Sequence, residues 1–460
     1  MSNTIAMNRI FLLLLTVVTV NAFCQAPQDT RQTTMVFTNV NVVPMDSERV
    51  IENQDVVVKG GKIVSIKKAS KGKPESNAMF IDGRGKYLLP GLAEMHAHVP
   101  PVDDIEPMKK VLLLFAVNGV TTIRGMLGHP RHLELRSKLQ SGEILGPKFY
   151  TSGPSFNGQS VKSPEDAEKM VKEQKAAGYD FLKIHPGITR ENFDVLAKTA
   201  RAEKIPFAGH VPFKVGIWHA LTSGYSTIDH LDGFIEGLVP GIESIPENEV
   251  GLFGLYISDR IDTTQISKLV NGLVSNKVWV VPTQALAERW MSPVKDADAF
   301  AAEPEMKYMD ANTISQWTGA KKNMMSNSKY DAAKVNEYIE RRKSLILACQ
   351  KGGVGLLSGS DAPQVFNVPG FAIHHELRYM VDAGLTPFEA LQSSTVNVAR
   401  YYNDMQNSGT LAAGKNADFI MISGNPLKDI TNTSKVEGVM LGGKWLSKDF
   451  IDSTLRSLTR

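Results

Sequence analysis

The sequence predicts an α/β protein, a (β/α)8 TIM barrel with a small β-sandwich domain built from both chain ends. Three observations lead there. Short apolar runs alternate with amphipathic helical stretches over about residues 89–405. Turn-rich segments with a two-residue alternation lie on either side of that region. The residues that close the apolar runs are repeatedly His, Lys or Asp, at the strand ends where a barrel keeps its chemistry.

The chain starts MSNTIAMNRIFLLLLTVVTVNAFCQAPQ. Arg9, an apolar stretch from Ile10 to about Val20 and small residues at Ala22 and Cys24 read as a signal peptide over 1–24, so the expected location is exported, periplasmic or secreted. A cut after Ala26 is the alternative, the run is short for a membrane span, and Phe23 spoils a lipoprotein pattern at Cys24. With Cys24 removed only Cys349 remains, which leaves no internal disulfide.

Residues 33–88 read as the first part of the β-sandwich, from MVFTNVNVVP, VVVKGGKIVSIKK and AMFIDGRGKYLLP, with Gly60-Gly61 as a hairpin turn. Residues 406–450 supply its second part, in GTLAAGKNADFIMISG and VEGVMLGGKWL around Gly442-Gly443. Chain ends commonly lie close together, so one sheet system accounts for both. Between them LLPGLAEMHAHVP, VNGVTTIRGM, GPKFYTSG, YDFLKIHPG, PFAGHVP, YSTIDHLDG, VWVVPTQA and VGLLSGSDAP supply the barrel strands. SPEDAEKMVKEQKAAG and TRENFDVLAKTARAEK are typical of the helices between them. The segment 286–349 exceeds one crossover helix and is rich in Trp, Met and Tyr; extra packing helices and a lid over the site are both open.

Composition narrows function. The chain of 460 residues is 42% hydrophobic and 22% charged with net charge +3, and carries no basic run or basic-aromatic interleaving. Nucleic acid is therefore not an expected partner, nor is a stable membrane span after signal cleavage; a small-molecule substrate is, with a homo-oligomer possible.

His96 and His98 are two residues apart on a strand, so both imidazoles share a face and can meet one ion. Lys183 on the fourth strand, His210 on the fifth, His230 on the sixth and Asp361 on the eighth complete a set that suits metal chemistry. A buried lysine beside divalent cations is driven towards the neutral amine, which can take up carbon dioxide. The carbamate so formed is an anionic ligand able to span two metals.

In that order, LLPGLAEMHAHV, FLKIHPG, AGHVP, TIDHLDG and LLSGSDAP, followed by AGLTPFEALQSSTVNVARYY and GTLAAGKNADFIMISGNPL, resemble the metal-dependent amidohydrolase superfamily, in its imidazolonepropionase-like and Xaa-Pro-dipeptidase-like branch. The resemblance covers nearly all of the chain after its leader. It implies two divalent metal ions, zinc by expectation, with His96, His98 and Asp361 on the buried one, His210 and His230 on the outer one, and N6-carboxylated Lys183 as the bridge. It also implies a water-derived nucleophile, Asp361 as the catalytic proton carrier and Lys183 as catalytic through the bridge. The family often has an acid after the second-strand arginine, where this chain has Gly125 after Arg124.

Substrate contacts are expected from Arg124, Tyr150, His185, His374 and His375. For Arg124 and Tyr150 the alternative is internal salt bridges or packing; for His185 it is a packed, hydrogen-bonded ring; for His374 and His375 it is a cap on the helix after the eighth strand. The implied activity is hydrolysis of an amide-type C–N bond in a dipeptide or N-acyl amino acid. The rivals are a mononuclear deaminase or imidazolone-type ring hydrolase, and a non-catalytic binding protein on the same fold. Deaminases usually carry a glutamate soon after the fifth-strand histidine, and here Val211, Pro212 and Phe213 follow.

Overall fold

The computed structural model describes residues 28–29, 33–70 and 77–459, so the leader reading lies outside the described residues. Strands Leu92–Ala97, Val120–Gly125 and Lys148–Thr151 pair in parallel, as do Leu182–Ile184, Phe207–Gly209, Thr227–Asp229 and Trp279–Val281. Single parallel bridges join the two groups. Ser152 pairs with Phe181 and Phe156 with Ile184 on one side. On the other, the segment 355–362 acts as the eighth strand, with Leu356 paired to Val280 and Ala362 to Ala97. The ring of eight closes through these bridges, and it is the barrel.

The crossover helices obey local rules. In Pro164–Ala177, Ser163 and Asp166 form a reciprocal capping box, Pro164 opens the first turn and Gly178 ends the helix at φ +86°. Thr189 caps Arg190–Ala202 through the Asn192 N–H. Phe193, Leu196 and Ala200 of that helix are buried against the barrel. Rigid neighbours on both sides thus fix the short strand that carries Lys183.

The strands of both chain ends form one mixed sheet of nine, in which Phe419–Ile422 pairs with Tyr87–Pro90. It folds over on itself. The Phe37 ring, in Thr34–Val42, lies 4.9 Å from Trp445, in Lys444–Ser447, although three strands separate theirs in the sheet order. Together with Phe419 they close an apolar core distinct from that of the barrel, which makes the sheet a sandwich. A helix at Lys448–Leu458, beyond the β pattern, follows.

Two excursions rise from the C-terminal ends of the strands. After the seventh strand come a helical turn at Gln284–Leu286, a π-turn at Ala287–Met291 and helices Ala311–Met325 and Ala332–Lys351. Most of their large side chains pack: Met306, Tyr308 and Trp317 join Phe366 in a core of their own. After the sixth strand, residues 230–265 make a helix at Phe234–Leu238 and several tight turns. The sequence pattern did not single out this second excursion, because it contains no long periodic stretch.

Candidate metal centre

The barrel brings all six expected ligands to one end. His96 and His230 are 1% exposed, Lys183 is fully buried and Asp361 is 4% exposed. Imidazole centroids of His96 and His230 are 4.4 Å apart, and those of His230 and His210 4.5 Å. Asp361 Oδ1 lies 2.5 Å from His98 Nε2 and 3.5 Å from His96 Nε2. Even so, Oδ1 has no partner with hydrogen-bond geometry. Lys183 Nζ is likewise without a partner. Buried polar atoms are rarely left this way. His96, His98 and Asp361 offer three donor atoms within 4.8 Å of one another, the grouping that the donors of a cation take.

Three of the histidines have a group behind them. Asp232 Oδ2 lies 2.8 Å from His210 Nδ1 and the Thr283 hydroxyl 2.9 Å from His230 Nδ1, so the Nε2 atoms are left for the site. Asp229 Oδ2 stands 2.8 Å from His96 Nδ1 and is itself held by the Arg124 guanidinium. Glu94 accepts from the Ser360 N–H and hydroxyl, tying the first strand to the eighth beside both His96 and Asp361. Arg342, on the long helix of the insertion, donates to the carbonyls of His230 and Pro282 and to Gln284 Oε1.

Backbone strain concentrates at the same place. His230 (φ +65°), Thr283 (φ +46°) and Asp361 (φ +66°) occupy left-handed conformations that side chains avoid. The Arg342 bond to the carbonyl of His230 holds one of them. Two glycines permit close approach: a Cβ on Gly209 would stand 2.9 Å from Lys183 Cδ, and one on Gly359 2.7 Å from the backbone nitrogen of His96.

Electrostatics favours the ligand forms. Burial, then the charge of Lys183, pushes His210 down to about 3 and His96 well below the ordinary value, and burial, then the neighbouring His96, does the same to His230. Burial also lowers Lys183 to about 8, while Asp229 and Asp361 pull it the other way. Neutral imidazoles and a readily deprotonated amine result.

Residues 279–446 match the amidohydrolase family model. The matched part carries Asp361, and the other five expected ligands lie on earlier strands, outside it. The family match thus falls on the C-terminal part of the chain, which carries the eighth strand. The chain is 22% identical over 440 residues to an adenine deaminase of Clostridium botulinum (strain 657 / Type Ba4), covering 91% of this chain and 58% of that protein. It therefore spans less than two thirds of the length of that relative. Its fold resembles that of a Xaa-Pro dipeptidase with methionine bound in its active site, at 19% identity and TM-score 0.65, covering 90% of this chain and 100% of that one. Bottromycin amidohydrolase gives 21% and 0.69, covering 95% and 91%.

A cavity of about 440 Å³ opens over the candidate metal centre, lined by five of the expected ligands and by His185, Leu252, Phe253, Leu286, Trp290 and Gln364. His185 is thus placed with the site, its ring 5.1 Å from that of His210. Four expected substrate contacts are elsewhere. Arg124 is 1% exposed and spent beneath the metal ligands, on Asp229 and the Met95 carbonyl. Tyr150 stacks on Tyr402 at 3.8 Å near the opposite end of the barrel, beside Pro90 and Thr121. His374 bridges the Asn118 carbonyl and the Thr433 hydroxyl, joining a barrel helix to the segment that precedes a sandwich strand. His375 is taken by Glu305 of the insertion, 2.9 Å away.

The site also uses residues that the motifs did not reveal. Phe253 stacks on His230, centroids 5.0 Å apart and planes within 14°, from a loop turn at φ +54°. Asp232 had a usable signal, lying two residues after His230 in TIDHLDG. Phe253, Thr283 and Arg342 had none.

Proposed function

We propose that the protein is an exported, dinuclear metal-dependent amidohydrolase that hydrolyses an amide-type C–N bond in a small substrate such as a dipeptide or N-acyl amino acid. The observation that carries this reading is the fully buried, partnerless Lys183 amine among four histidines and Asp361. A protonated amine there would be repelled by cations, whereas its carboxylated form would join them. His96, His98 and Asp361 would hold one ion, His210 and His230 the other, and carboxylated Lys183 both. Two bound divalent ions, zinc by donor chemistry, would supply Lewis acidity towards a carbonyl and bring the pKa of water to about 7.

The chain's own groups do the rest. Asp361 faces the shared space and would take the proton of the attacking water, then return it to the leaving nitrogen, a transfer worth roughly 10²- to 10⁴-fold. Asp232 and Thr283 keep His210 and His230 in fixed tautomers. Leu252, Phe253, Leu286 and Trp290 wall the cavity and thin out competing water. Export rests on the leader pattern of the first residues; a tagged chain recovered from the cytosol at full length would contradict it.

A deaminase reading draws support from the adenine deaminase relative. One experiment separates the two. Zinc-reconstituted protein is analysed for metal and offered dipeptides, N-acyl amino acids and adenine. About two metals per chain with release of amino acids supports hydrolysis; ammonia from adenine with the peptides untouched overturns it.

A further inference from the structure

Beside the metal cavity is a second chamber of about 290 Å³ that nothing in the proposed chemistry uses. The two share His210, Leu252 and Phe253, so the chamber branches from the cleft at the outer metal position. Its walls are apolar and partly aromatic, from Phe213, Ile217, Trp218 and Val250. Its volume is that of about ten waters, enough for one long side chain.

The polar groups in it are of one sign. Asp232, Glu236 and Glu247 line the chamber, and no lysine or arginine among the described residues does. Lys268 packs over the Trp218 ring, 4.6 Å from its centroid, without joining the lining. Asp232 is engaged by His210 and the Val211 N–H, whereas Glu236 Oε2 is shut off from solvent with no hydrogen-bond partner. A carboxyl oxygen kept dry and unpaired in an apolar chamber is costly unless a ligand satisfies it.

We infer that this chamber is a specificity pocket for a basic residue of the substrate, with the aliphatic stem against Phe213 and Trp218 and the guanidinium or ammonium on Glu236. The aromatic walls suit both parts, since long basic side chains bury their stems and their cationic heads are attracted to ring faces. A cationic head brought onto a dry carboxyl makes a charge-assisted hydrogen bond, about twice as strong as a neutral one. This deepens the amidohydrolase reading and rests on it for the reaction, though not for the binding.

The test uses zinc-reconstituted protein and dipeptide pairs that carry arginine or its neutral isostere citrulline at either position. The expected kcat/KM ratio is at least about tenfold in favour of arginine at one position, collapsing towards unity in Glu236→Gln. A ratio near one in the unaltered protein, or a preference retained in E236Q, overturns the inference. Independently, calorimetric titration compares butylguanidinium with butylurea on the same two proteins, with metal content and circular dichroism confirming that E236Q is folded. If no dipeptide is cut but butylguanidinium binds at least about tenfold tighter than butylurea, and E236Q abolishes the difference, the peptidase reading fails and the pocket stands. Absence of that preference in the titration likewise removes the pocket.

Discussion

Replacing Lys183 with methionine tests the central electrostatic argument in the metal-free protein. The amine is fully buried and partnerless, and burial lowers its pKa from 10.5 to about 8. That drop corresponds to about 3 kcal/mol of cost for carrying the charged form in the fold. The folded protein binds its proton less tightly than the unfolded chain does, so the penalty is complete below about pH 8 and disappears as pH rises through 10.5. Lys183→Met has a similar stem and no charge. Stripped of metal by chelator at pH 7, it should therefore be more stable than the unaltered protein by about 3 kcal/mol. The assay is urea unfolding followed by tryptophan fluorescence. Between pH 8 and 10.5 the unaltered protein should gain stability relative to the variant until the gap closes. With zinc present the ranking should reverse, because the variant has no amine to carboxylate. A metal-free variant that is less stable at pH 7, or a gap that ignores pH, would refute the reasoning.

Arg342→Leu leaves the carbonyls of His230 and Pro282 and the Gln284 amide oxygen buried without their donor, and should cost about 4 kcal/mol, read by the same unfolding assay. Its zinc affinity, measured by competition with a chromogenic chelator, should fall by at least about tenfold as His230 loses its backbone restraint. Gly209→Ala forces a Cβ to 2.5 Å from the Ile184 carbonyl oxygen and 2.9 Å from Lys183 Cδ at φ +121°, so metal content should drop with the chain still folded, as measured by atomic emission. His374→Ala should lower stability by about 1–3 kcal/mol through loss of its two buried hydrogen bonds while leaving KM unchanged; a raised KM would return this histidine to the substrate.

Much of this architecture is readable along the chain because its causes are local. The HxH spacing puts His96 and His98 on one strand face wherever that strand goes. Strand-end positions carry Lys183, His210, His230 and Asp361 to the catalytic mouth once eight strands close. What local pattern leaves open is direction and partner. Arg124 and Tyr150 stand at strand ends as the ligands do. Yet Arg124 is drawn under the site by Asp229, 105 residues away, and Tyr150 turns towards Tyr402 at the far end of the barrel. His374 and His375 sit beside a suitable strand, but their rings are claimed by Asn118 and Thr433 in one case and by Glu305 in the other.

The amino-acid order alone determined which donors exist and which strand presents each, since side-chain parity and turn chemistry act over a few residues. Only the folded barrel decided which nitrogen of His210 and of His230 is free, that the Lys183 amine has no neighbour to bond, and that a dry acidic chamber adjoins His210. Those properties arise from groups far apart in the chain meeting where water is excluded, and burial of that kind is a property of the closed structure rather than of any segment within it.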